Sequence, residues 1–73
     1  ISIQVFPNPT RDRITIRSQA PITSIEISDL LGRATHIPAN AQTEMVVHLA
    51  ETGLNIIRVM TQSGMGIMKV IRH

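Results

Sequence analysis

Apolar and polar residues alternate in short runs along most of this chain. Arg13-Ile14-Thr15-Ile16-Arg17 sets two isoleucines on one face and three polar side chains on the other, and Ser24-Ile25-Glu26-Ile27-Ser28 repeats the pattern. A period of two belongs to an extended strand with one face on a core and the other in water. Glu44-Met45-Val46-Val47-His48-Leu49 alternates less cleanly and turns Met45, Val47 and Leu49 inward. Asn55-Ile56-Ile57-Arg58-Val59-Met60 is richer in apolar residues and reads as a central strand, and Ile67-Met68-Lys69-Val70-Ile71-Arg72 reads as the last. No segment of helical length carries a 3.6-residue period, and Asp29-Leu30-Leu31 is too short to hold one.

Chain breakers fall between these runs. Pro7-Asn8-Pro9-Thr10 is a turn, Ala20-Pro21 is expected to break the chain before the third strand, and Leu31-Gly32 is a reversal. Residues 33–37 would form a short returning strand, Pro38-Ala39-Asn40 would start a loop, Glu51-Thr52-Gly53 precedes the sixth strand, and Ser63-Gly64 joins the last two in a hairpin. The count is about seven short antiparallel strands at roughly 8–12-residue spacing, which predicts an all-β, immunoglobulin-like sandwich. The expected core is Ile14, Ile16, Ile25, Ile27, Val47, Leu49, Ile57, Val59 and Val70. Without a repeat or linker, residues 1–73 read as one domain.

A domain of this size buries only roughly 60% of its unfolded surface. Phe6 is the sole aromatic residue, so the core must be aliphatic; Phe6 is expected inside, and Met45, Met60, Met65 and Met68 are expected to fill gaps there. The absence of cysteine excludes disulfides, thiolate metal sites and cysteine nucleophiles. No apolar run approaches the roughly 18 residues of a membrane span, so stable membrane insertion is not expected. Net charge is +2, and six of the seven basic residues are arginines scattered from Arg11 to Arg72. There is neither a dense basic stripe nor an aromatic platform, which argues against nucleic-acid binding.

Reactive groups are sparse. His36, His48 and His73 lack metal-ligand spacing to one another or to a carboxylate. Asp12 and Asp29 sit at turns, where an aspartate usually caps its own backbone. A calcium site from Asn8, Asp12 and Asp29 would lack the dense acidic loop that calcium sites use. Glu26, Glu44 and Glu51 do not suggest a carboxylate pair, and no glycine-rich phosphate loop or Ser-His-Asp set is present. No catalytic residue, metal or cofactor is therefore expected, and the chain does not read as an enzyme.

Three clusters are more specific. In Val5-Phe6-Pro7-Asn8-Pro9-Thr10, followed by Asp12 and Ile14, two prolines remove two donors and fix two φ angles, and Asn8 is extended because it precedes Pro9. Ile25-Glu26-Ile27-Ser28-Asp29-Leu30-Leu31-Gly32-Arg33 is a strand entering a reversal. The third runs from Leu49 to Val59 through Gly53, followed by Gly64 and Lys69-Val70-Ile71-Arg72. In this order and spacing, over essentially the whole chain, these clusters resemble the C-terminal sorting domain (type A) of cargo proteins of the type IX (Por) secretion system. Asn55 departs from the family pattern, which has tyrosine there. By alternation it points inward, so it belongs either at the core rim or on backbone partners.

The resemblance implies an address rather than a reaction. Such a domain follows a larger cargo domain, which reaches the periplasm by a separate N-terminal signal, and directs it through an outer-membrane translocon to the cell surface or beyond. A surface sortase usually removes the domain, here at or before Ile1. By position, Gly64, Lys69, Val70, Ile71 and Arg72 would be the translocon recognition element, while Pro7, Asn8, Pro9, Asp29, Gly32 and Gly53 would be structural. The expected partners are the translocon, the sortase and the upstream cargo domain. Exposed terminal strands also suggest a homodimer through strand edges. The alternative, an accessory adhesion or carbohydrate-binding sandwich, would normally display aromatic side chains for stacking on sugars.

Overall fold

The computed structural model describes residues 2–73. They form five strands: β1 (Ile3–Phe6), β2 (Arg13–Ser28), β3 (Ala34–His48), β4 (Gly53–Thr61) and β5 (Gly64–Arg72). All pair antiparallel in the order β1-β2-β4-β5, with β3 on the other side of β2. The described chain is all-β, as the alternation predicts.

Five strands replace the expected seven because β2 and β3 each run through two of the expected segments. The first half of β2 pairs with β1 and with the end of β3: Ile16 faces both Val5 and Met45. Its second half pairs with the start of β3 and with β4: Ile25 faces both Ile37 and Val59. Between the halves, the ladder slips in register around Ile22. Ala20-Pro21 thus bends a strand instead of ending it, and Pro38-Ala39-Asn40 lies inside β3, where Ala41 turns at φ 56°. A proline fits there because β3 is an edge strand, with no second neighbour awaiting the missing N–H.

The bend folds the long β2–β3 hairpin over, so both its ends lie at one end of the molecule. One core then collects Ile14, Ile16 and Val47 from the layer of the first half of β2 and Ile25, Ile57, Val59 and Val70 from the other layer. The molecule measures 30 × 22 × 17 Å, and its thinnest dimension suits two sheets about 10 Å apart with their outer side chains. The immunoglobulin-like sandwich holds in this form.

Along β2, core-facing residues are even-numbered from Ile14 to Ile22 and odd at Ile25 and Ile27. Strict alternation would turn one set outward, and one extra residue at the slip corrects the parity. Eight of the nine expected core residues are buried. Ile27 only packs against the core from its margin, while Ile22 and Ala20, left out of the expected core, are buried. Phe6 is not inside: it is 38% exposed, with the Arg17 guanidinium 5.1 Å above its ring. Met45 and Met68 pack on the core as gap fillers, whereas Met60 and Met65 face solvent.

Ile25→Ala should cost about 2–5 kcal/mol in urea unfolding, since it empties a fully enclosed site. Ile67→Ala, at an exposed position, should cost within about 0.5 kcal/mol. Equal losses at the two positions would contradict this packing.

Candidate functional site

Most of the singled-out residues meet at the end of the sandwich where β5 finishes. The Pro7–Thr10 corner leaves β1, which belongs to one layer, and lies along the outer edge of β5 in the other. Both Phe6-Pro7 and Asn8-Pro9 peptide bonds are cis. The Asn8 Nδ2 donates to the Lys69 carbonyl at 2.9 Å, and its Oδ1 accepts from the Ile71 N–H at 3.1 Å. Thr10 N–H donates to the Ile71 carbonyl and Thr10 C=O accepts from the His73 N–H, each at 2.8 Å. Asn8 thus acts as a side-chain imitation of one rung, and Thr10 continues the ladder in parallel register opposite Arg72.

Thr10 is itself buried, at 5% exposure, and its hydroxyl donates to the Arg13 carbonyl at 2.6 Å while accepting from the Asp12 N–H at 3.3 Å. The sequence shows this residue only as a turn member. Its role depends on a strand more than sixty residues away, for which local pattern carries no signal.

The β2–β3 turn closes beside this end. Gly32 takes φ 81°, in the left-handed region open to glycine. Asp29 Oδ1 accepts from the N–H groups of Leu31 (2.9 Å) and Arg33 (3.0 Å), and Oδ2 accepts from Arg33 Nε at 2.7 Å. Desolvation pushes the Asp29 carboxyl upward, but the hydrogen bonds from Arg33 and Leu31, with the Arg33 charge, outweigh it and hold the group below the usual carboxylate range. Arg33 reaches Glu51 at 3.5 Å, tying the turn to the loop before β4.

That loop ends at Gly53, with φ 91°, opposite Arg72. Asn55 is buried, at 1% exposure, and its Nδ2 donates to the carbonyls of Glu51 (3.0 Å) and Gly53 (3.3 Å). Its inward position is therefore satisfied by backbone, one of the two outcomes the sequence allowed. A tyrosine would place a ring where this chain uses an amide to fasten the loop.

A model of the family described as the secretion system C-terminal sorting domain matches residues 4–73. The chain belongs to that family, the C-terminal sorting domains of type IX secretion. No curated protein and no solved structure matches it. As a family member it is a C-terminal sorting signal that engages the type IX machinery on behalf of a cargo protein bound for the cell surface or the extracellular space. The family is not enzymatic.

Against that background, the expected recognition residues separate into different environments. Lys69 and Ile71 project outward, and Ile71 is 42% exposed. Val70 points into the core at 1% exposure, so its side chain is out of a partner's reach. Arg72 is half-buried on the inward side, its Nε covered and without a hydrogen-bond partner among the described residues. Gly64 lies at the opposite end, closing the β4–β5 hairpin against Thr61, whose hydroxyl donates to its carbonyl at 2.8 Å. Pro7, Asn8, Pro9, Asp29, Gly32 and Gly53, the residues expected to be structural, gather at one end.

The last strand, expected to expose its edge, does not do so along Lys69–Arg72. The Asn8–Thr10 segment already occupies the outward groups from the Lys69 carbonyl to the His73 N–H. The calcium candidates also diverge: Asn8 is committed to β5, Asp29 to its own turn, and Asp12 lies 3.4 Å from His48 Nδ1.

Asn8→Ala should remove both hydrogen bonds of that rung, costing about 1–3 kcal/mol and exposing the Ile71 amide to faster hydrogen exchange. Unchanged exchange at Ile71 would refute the clamp. For Asp29, the folded carboxyl lies below its unfolded value, so its contribution is present above the ordinary carboxylate range and lost as pH falls through the depressed folded value. Asp29→Asn should flatten that part of the acid-unfolding profile; an unchanged profile would count against the assignment.

Proposed function

We propose that the translocon reads this domain folded, through the outward side chains of the clamped last strand, with Lys69 and Ile71 as the contacts. In this reading the domain accompanies its cargo through the periplasm and outer membrane, and a surface sortase then removes it. Val70 anchors the strand in the core, Pro7-Asn8-Pro9 and Thr10 hold its edge, and Asp29, Gly32 and Gly53 build the surrounding end. Gly64 sets the hairpin that starts the strand.

The observation that carries this reading is the clamp itself. It fixes an apolar and a cationic side chain two residues apart on an extended segment, in one orientation. A fixed pair loses less conformational entropy on binding than a loose tail does, and Lys69 favours an acidic receptor surface.

The burial of Val70 determines the experiment. Deleting residues 69–73 would remove a core side chain and the partners of the corner, so failed export would not separate recognition from folding. Point changes at exposed positions do separate them. Residues 1–73 are fused to a periplasmic reporter in a bacterium with a working type IX system. Lys69→Ala with Ile71→Ser should trap the reporter in the periplasm while the fusion keeps its protease resistance. Export of that double variant at the unsubstituted level would overturn the reading.

A further inference from the structure

The sheet has three edges, and two are guarded. β1 is four residues long and runs into Pro7. β3 carries Pro38 and the φ 56° kink at Ala41. Short length, proline and a local kink are the usual defences of an edge against pairing with another chain. β5 has the Asn8–Thr10 cover, but that cover starts only at the Lys69 carbonyl.

Before that point the edge is open. Along β5, odd-numbered residues turn their N–H and C=O away from β4, as the bonds of Ile71 to Asn8 and Thr10 establish. The N–H and C=O of Met65 and Ile67 and the N–H of Lys69 point the same way and have no partner among the described residues. β1 does come near, but on the inner face: a Cβ on Gly66 would lie 2.8 Å from Ile3 Cδ1. The same odd residues turn their side chains to the outer face, where Met65 and Ile67 are each 53% exposed, beside Met60 on β4.

Charge selects the occupant. From Gly53 to Arg72 the β4–β5 hairpin contains Arg58, Lys69 and Arg72 and no aspartate or glutamate. Arg58 meets Glu26 of β2 at 3.2 Å, while Lys69 makes no ion pair among the described residues. A second copy pairing β5 to β5 would bring two such acid-free hairpins together. An extended segment with aliphatic residues and a carboxylate on one face instead meets Met65 and Ile67 with its apolar side chains and Lys69 with its charge.

We propose that the open β5 edge from Met65 to Lys69 takes up an extended acidic segment of another protein by strand addition. Main-chain bonds supply the affinity, and the Met65-Ile67-Lys69 row supplies side-chain preference. The Asn8 side chain ends the register, so the added strand stops opposite Lys69. This goes beyond export: it concerns a stretch of β5 that the translocon reading does not use apart from Lys69, and it is measured on the purified chain without the secretion machinery.

The probes are three acetylated, amidated hexapeptides: one alternating valine with glutamate, one alternating valine with lysine, and the glutamate peptide N-methylated at alternate residues. On the 73-residue chain, saturating glutamate peptide should slow hydrogen exchange at the Met65, Ile67 and Lys69 amides by about ten-fold or more. The methylated peptide, with its donors blocked, should give no protection. Lys69→Glu should weaken the glutamate peptide and strengthen the lysine peptide, each by about three-fold. Ile67→Pro should abolish binding, and retained protection at the buried Ile57 and Val59 amides will show that it still folds. Protection that survives methylation, equal binding of the two charged peptides, no protection by the glutamate peptide, or protection arising from self-association alone would each overturn the proposal.

Discussion

The arrangement depends on the corner that carries the chain from one layer to the other. β1 pairs with β2, but within four residues of its end Asn8 and Thr10 hydrogen-bond to β5. A folded-over sheet leaves its two layers joined by covalent bends at one end and by packing elsewhere. Here the first and last segments are joined by main-chain and amide bonds at the other end. Their loop-closure entropy is already offset by the core between them, so modest hydrogen bonds suffice to hold the last strand.

With its edge satisfied from the Lys69 carbonyl to the His73 N–H, the end of the last strand offers a partner its side chains rather than its backbone. Val70 is committed to the core, while Lys69 and Ile71 are displayed. In the proposed reading, the sorting element is inseparable from the fold that presents it. That explains why residues of the motifs at the start, middle and end of the chain converge on one end: the corner, the Asp29–Arg33 turn and the Gly53 loop all brace the region where β5 finishes. Asn55 serves the same bracing by tying that loop to β4 from inside the core.

The two-residue period made the strands, their faces and most of the core legible, because burial of one face imposes it directly. The merging of segments was not legible. Ala20-Pro21 looks like a break, yet a proline at a bend where the ladder slips costs no needed bond, and Ile22 is buried just beyond it. The change of parity between Ile16 and Ile25 was the sign that an extra residue had to lie between them. Phe6 was expected inside on composition alone, whereas its place just before the corner leaves it at the surface under Arg17. The motif residues were legible by resemblance, but the partners of Asn8 and Thr10 lie across the whole length of the chain. Alternation already set Val70 apart as a core residue within Lys69 to Arg72, whereas nothing local showed that the corner covers the outer edge of this run.

The central claim is that the machinery contacts the outward face of the braced strand on a folded domain. A photo-crosslinking residue placed at Ile71, and in a separate fusion at Val46, tests it directly in cells with an active type IX system. Both positions are exposed, at 42% and 58%, but Val46 lies on β3 in the layer away from β5. The account predicts that position 71 captures an outer-membrane component and position 46 does not. Equal capture from both, or capture from position 46 alone, would contradict it.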